Sequence, residues 1–256
     1  FHKNYRKSAS WSLIIKAVGI TLPIFLPVVS ANLSSGLIIA GIAFVMTYVA
    51  SEHRPFFLIS TAAAIFTCVF AFQSGLLTAI LDEYQMNRIY AWIDPEEFPL
   101  SNGFQVLQGL YAIGAGGLFG TGLGNSLQKL GFLPEAQNDM IFSVVGEELG
   151  FIGCITALLL IVLITVRIIY VGKKSSEQST NLICTGMAAM IIGQMIINVG
   201  MCLMLLPVIG ITLPFFSAGG SSNLCVYLGI GIVMSIYRHN CDTGAVNIRV
   251  YDSLKK

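Results

Sequence analysis

The sequence predicts an all-α, polytopic membrane protein with six transmembrane helices and a long structured loop on the extracytoplasmic side. Three observations predict it. Hydrophobic residues fill 55% of the 256 positions and charged residues only 11%, where a soluble domain carries about 25% charged. Six apolar runs approach the roughly 20 residues needed to cross a bilayer, and runs such as CITALLLIVLITV lack the alternation of a β-barrel strand. The basic residues fall almost entirely on one side of those runs, as the positive-inside rule requires.

In chain order, the first segment, FHKNYRKSAS, is basic and polar and has no signal-peptide pattern, so the chain is expected to begin inside a larger protein or to be an unusually short one. Spans follow at about 12–29, 33–50 and 56–80, joined on the inside by SEHR at 51–54. A loop of nearly sixty residues, 81–139, comes next, and then spans at 140–171, 181–206 and 221–237 and a tail at 238–256. Residues 1–256 are expected to form one membrane domain. With both ends cytoplasmic, Lys3, Arg6, Lys7, Lys16, Arg54, Arg167, Lys173, Lys174, Arg238, Arg249, Lys255 and Lys256 lie inside; Arg88 and Lys129 alone lie outside. The net charge of +1 hides this sidedness and gives no basis for nucleic-acid binding.

Residue types narrow the chemistry. Five of the six cysteines fall in predicted spans and Cys241 inside, where they act as small apolar packing groups. His2, His53 and His239 all sit at inner positions, so outward-facing chemistry proceeds without a Ser-His-Asp triad or a His-rich zinc site. No metal site and no cofactor is expected, although a divalent cation is compatible with the sequence.

The long loop holds Tyr84, Tyr90, Trp92, Phe98, Phe104, Tyr111, Phe119 and Phe132, too many aromatics for a solvated linker. Stretches such as FQVLQGLYAIG are expected to form short amphipathic or re-entrant helices. The glycine-rich GAGGLFGTGLGNS, 114–126, has neither Walker nor dinucleotide spacing; it is either an anion nest or a plain tight turn. Arg88 and Lys129 either form surface ion pairs or hold a phosphate at the membrane.

The stretch LPEAQNDMIFSVVGEELG, 133–150, concentrates carboxylates where a helix enters the membrane. Asn138 or Asp139 can cap that helix, and a carboxylate held there is also what a general base requires. On an unbroken helix Ser143, Gly146 and Gly150 share the face of Asp139, Glu147 lies to one side and Glu148 points away. Each glutamate is either cavity-lining or part of a buried structural pair, and Gly146-x-x-x-Gly150 marks close packing. Between the last two spans, LPVIGITLPFFSAGGSSN, 206–223, combines helix-breaking Pro207 and Pro214 with Ser217, Ser221 and Ser222; such backbone at membrane depth must be buried or line a wet cavity. Gln194 and Asn198 either line that cavity or bridge helices.

Four blocks, YQMNRIYAWIDPE, GFQVLQGLYAIGAGGLFGTGLGNS, LPEAQNDMIFSVVGEELGFIG and LPVIGITLPFFSAGGSS, resemble in order the signature blocks of the SEDS proteins, the FtsW/RodA/SpoVE group. The resemblance covers nearly the whole chain, but only the later six of the family's usual ten spans. It implies a peptidoglycan glycosyltransferase of the bacterial inner membrane that polymerises lipid II, with Asp139 as catalytic base in an inverting displacement. It further implies substrate contacts from Arg88, Lys129, Glu147, Gln108, Ser217 and Ser221. The implied partners are a class B penicillin-binding transpeptidase and divisome or elongasome proteins. Two positions depart from the family pattern: Ala31-Asn32-Leu33-Ser34-Ser35 replaces a P-D-[LF]-G-[TS] stretch, and Ala218 stands where Tyr is common. If the replaced Asp handled substrate, that role lapses here; if it capped a helix, Asn32 can do the same. The alternatives to a polymerase are a lipid II flippase, which needs a polar route to both faces, and a non-catalytic scaffold. Polar residues gather toward the outside, which favours surface chemistry.

Overall fold

The computed structural model describes residues 11–51, 54–74, 82–98, 102–175 and 177–254. Lys3, Arg6, Lys7, His2, His53, Lys255, Lys256 and the expected span residues 75–80 lie outside the described residues. All regular structure among the described residues is helical: α1 (Trp11–Ala31), α2 (Leu33–Ala50), α3 (Arg54–Gln73), α4 (Glu83–Ile93), a 3-10 turn (Pro95–Glu97), α5 (Asn102–Gly116), α6 (Ile141–Lys174), α7 (Gln178–Cys202) and α8 (Gly220–Leu254). Three of these are long and apolar enough to cross a bilayer, Ile141–Lys174, Gln178–Cys202 and Gly220–Cys241, and shorter apolar stretches run over Ile14–Ser30, Ser34–Ala50 and Pro55–Ala64. The chain is therefore a multi-pass helical membrane protein. The last helix runs on through the segment expected as a tail.

The α6–α7 pair forms the centre. Every third or fourth residue of α6, from Cys154 through Ala157, Ile161, Thr165 and Ile168 to Gly172, is buried. That stripe meets Cys184, Ala188 and Ile191 of α7, the spacing by which one helical face packs on another. A methyl at Gly172 would press within 2.6 Å of Cys184 Cβ, so glycine there sets how closely the two axes approach. Cys154, Cys184 and Cys202 are free and buried, in keeping with packing roles, while Cys225 and Cys241 are exposed.

The hairpin α1–α2 docks on α7 through α2. Its turn is set by Asn32, whose side-chain oxygen accepts from Ser34 N at 3.0 Å and Ser35 N at 3.3 Å. Asn32 thus caps α2, the role in which asparagine substitutes for aspartate. Next along the chain, α3 buries Phe57 in an edge-to-face cluster with Phe44, Tyr48 and Phe56. In the long loop, α4 and the 3-10 turn pack on α5, and α5 lies along the start of α6. The last helix, α8, rests more lightly against α6 and α7, burying Val226 and Val233.

Candidate active site

Asp139 stands at the mouth of α6. The capping expected of Asn138 or Asp139 is absent: α6 begins at Ile141, its cap residue is Met140, and no side chain closes the cap. The turn before it is built by Glu135, which takes a positive φ of 52°; its carbonyl accepts from Asn138 N at 2.9 Å, and its carboxylate accepts from Asn138 Nδ2. Asn138 is therefore spent on the turn, and the Asp139 carboxylate is left out of it.

What fixes Asp139 is its backbone. The Asn198 amide donates to Asp139 O at 2.7 Å and to Ile211 O at 2.6 Å, tying α7, the mouth of α6 and the 203–219 loop together. Gln137 O also accepts from Ala218 N at 2.8 Å. The loop is anchored from other sides by Ser34 Oγ, which donates to Ile209 O, and by Trp92 Nε1, which donates to Met204 O at 2.8 Å. Gly210, at φ 69°, faces the carboxylate: a methyl there would lie 3.7 Å from Asp139 Oδ2.

Asp139 is 8% exposed, and its Oδ1 is buried with no hydrogen-bond partner. Gln105 of α5 approaches it, yet Gln105 Nε2 is also buried without a partner, as is Ser143 Oγ in the first turn of α6. Burial raises the Asp139 carboxyl above its ordinary value; Glu135 pushes the same way, while its own backbone amide, Arg88 and Gln105 pull it part-way back. A carboxylate in that condition is a stronger base than one in water.

The two glutamates of the same stretch behave differently. α6 is broken at Gly150 (φ 68°, ψ −166°), so the angular relation to Asp139 expected from an unbroken helix does not hold. At the break the glycine-rich loop exchanges backbone hydrogen bonds with the helix. Thr121 N and Gly122 N donate to Glu147 O and Glu148 O at 2.9 and 3.0 Å, and Phe151 N and Ile152 N donate to Gly117 O and Leu118 O at 2.9 and 3.2 Å. The Glu147 side chain, 2% exposed, accepts from Ser126 Oγ, from Leu127 N at 3.0 Å and from Gln128 N at 3.4 Å. The loop does form a nest of amides, and the anion in it is the protein's own Glu147. Glu147 therefore holds the loop and does not line the cavity. Glu148 pairs with Lys129 at 3.5 Å.

Of the residues expected to bind substrate, Arg88 alone is coupled electrostatically to Asp139; its guanidinium lies 4.6 Å over the Tyr84 ring, and its Nε is buried without a partner. Lys129 is committed to Glu148. Ser217 Oγ accepts from Leu213 N at 2.7 Å inside its own turn, and Ser221 is exposed at the start of α8. Gln108 is half-buried, and the glutamine at the carboxylate is Gln105, one turn earlier. The sequence carried a signal for this. Gln105 lies on the face of α5 that continues through Gly109, packed on Met140 and Ser143, to Gly116, packed on Gly146; Gln108 sits roughly 60° round the helix from Gln105.

A polytopic helical membrane protein with an under-satisfied carboxylate at a helix mouth, walled by a broken inter-helix loop, defines the class. Within it, the chain belongs to the FtsW/RodA/SpoVE family of cell cycle proteins, whose model matches residues 1–242. Stage V sporulation protein E of Bacillus subtilis (strain 168) is 37% identical over 228 residues, 88% of this chain and 60% of that protein. A probable peptidoglycan glycosyltransferase FtsW of Wigglesworthia glossinidia brevipalpis is 43% identical over 179 residues, 66% of this chain and 46% of that protein. Among solved structures, one from a peptidoglycan synthase complex that coordinates polymerization and crosslinking has a TM-score of 0.69 at 28% identity, covering 88% of this chain and 61% of that one. The Thermus thermophilus rod shape determining protein RodA has a TM-score of 0.58 at 24% identity, covering 91% and 58%, a likeness of fold. The chain thus spans 46% to 61% of the length of these relatives.

Proposed function

We propose that the protein is a peptidoglycan glycosyltransferase that polymerises lipid II at the outer face of the bacterial cytoplasmic membrane, with both ends of this chain cytoplasmic. The observation that carries this reading is the Asp139 carboxylate, buried at the mouth of α6 with Oδ1 unpartnered. A buried polar atom without a partner is costly, and a substrate hydroxyl would supply the missing donor. The names of the FtsW relatives and the synthase-complex neighbour support the same activity and a transpeptidase partner.

In the proposed reaction Asp139 accepts the proton of the acceptor-sugar hydroxyl. The freed oxygen attacks the donor's anomeric carbon, the new C–O bond forms as the bond to pyrophosphate breaks, and the lipid pyrophosphate leaves with the electron pair. An α-linked donor gives a β-linked product in one inversion, so no covalent enzyme intermediate is required. Arg88, the cation coupled to Asp139, faces the negative charge that grows on the leaving group. No step is routed through a cofactor or a metal. The test is incubation of the purified protein, with its transpeptidase partner, with labelled lipid II: glycan polymer forms with the wild-type protein and is lost with Asp139→Asn. Polymer that survives the substitution overturns Asp139 as base; movement of lipid II between leaflets without polymer overturns the polymerase.

A further inference from the structure

We propose that the glycine-rich loop, residues 117–132, is a re-entrant membrane contact whose apolar side chains sit among the acyl chains of the leaflet on the Asp139 side. This does not depend on the chemistry assigned to Asp139.

The first observation is depth. Between Glu148 and Arg167, α6 carries eighteen uncharged residues, roughly 27 Å of helix, close to the roughly 30 Å hydrocarbon core. The core boundary therefore falls at Glu148, beside the break at Gly150. The loop is bonded to residues on both sides of that boundary, and Gly117 and Leu118 accept from Phe151 and Ile152, inside it.

The second observation is how the loop distributes its side chains. Of its polar side chains, Ser126 is fully buried and donates from Oγ to the Glu147 carboxylate, and Thr121 Oγ1 donates to Glu147 O. Its large apolar side chains turn outward: Leu118, Phe119, Leu123, Leu127, Leu130 and Phe132 are 59–79% exposed. Lys129 is the loop's single charged residue, and it is paired with Glu148.

The third observation is backbone satisfaction, without which irregular chain does not persist at membrane depth. Besides the exchange at Gly150, Gly120 N donates to Gly116 O, Leu130 N to Leu127 O, and Phe132 N and Leu133 N to Gln128 O, while Leu127 N and Gln128 N go to Glu147. The outward apolar surface also continues directly onto Phe151 and Ile152 of α6, themselves 58% and 51% exposed. An apolar surface that runs on into a membrane span is one that acyl chains fit.

The experiment places tryptophan at the tip: Phe119→Trp in protein reconstituted into phosphatidylcholine vesicles, with plain or dibrominated acyl chains. Emission is read as the difference from the wild-type protein, which subtracts Trp11 and Trp92. The expected result is loss of the added emission in brominated vesicles and its preservation against aqueous iodide. Leu123→Trp reads the same at a second position should the first variant not reconstitute. Quenching by iodide and not by bromine overturns the proposal in favour of a water-facing docking surface. Shielding from both quenchers overturns it in favour of a surface covered by protein.

Discussion

Asp139 and Glu147 are carboxylates eight residues apart in one stretch, both buried at the same helix mouth, and they differ in how they are served by donors. Glu147 has three donors for its two oxygens. Asp139 has a firmly held backbone and a carboxylate oxygen with none. Burial alone therefore does not separate a structural acid from a chemical one; the supply of donors does. A fully served carboxylate is locked in one place. An under-served one is held in place by the backbone and keeps its lone pairs for a visitor.

The largest effect that sharpens this contrast is on rate. Asp139→Asn is expected to lower polymerisation by about 10²–10⁴-fold, the range for losing a general base, while detergent-solubilised protein still melts cooperatively. Glu147→Ala should do the opposite. It strands Ser126 Oγ and two backbone amides, costs about 3 kcal/mol of stability, and is read as a lowered melting temperature and early proteolysis within 117–132. Equal stability of the two variants would break the contrast.

A smaller effect tests the exchange that holds the loop. Gly120 has φ 79°, and a methyl there would collide with the Glu148 carbonyl. Gly120→Ala is expected to cost about 1–3 kcal/mol and to speed hydrogen exchange at Thr121 and Gly122. The smallest effect is a dependence on pH. The native Asp139 carboxyl lies above the ordinary value of 3.8, so the folded state binds the proton more tightly than the unfolded one. Its stabilising contribution is full below that ordinary value and is lost as pH rises through the native value. Asp139→Asn should therefore melt higher than wild type at neutral pH and show no advantage in acid; no difference at neutral pH would remove the cost assigned to the buried carboxylate.

Much of the fold was legible because hydropathy is local. The long spans announce themselves in runs such as CITALLLIVLITV, and Asn32 as a cap follows from its place between two apolar runs. The candidate base was legible from a family block. The role of Glu147 was not, because its partners lie 19 to 21 residues upstream and a helical wheel assumes that the helix continues. Gly150 ends that assumption, since its positive φ is a backbone state that sequence spacing does not display. Gln105 and Gln108 lie one turn apart in one helix, and composition alone does not separate them. The small residues Gly109 and Gly116 identify the face that meets α6, and they point to Gln105.

The break at Gly150 makes α6 and the glycine-rich loop one hydrogen-bonded unit. On a straight α6, Phe151 N and Ile152 N would bond one turn back to Glu147 O and Glu148 O. The finished structure trades those two bonds for the four that join helix and loop. Glu147 O, Glu148 O, Phe151 N and Ile152 N of the helix each take a partner in the loop, so that the two segments share one ladder. α6 is in that sense a span completed by a segment that precedes it in the chain.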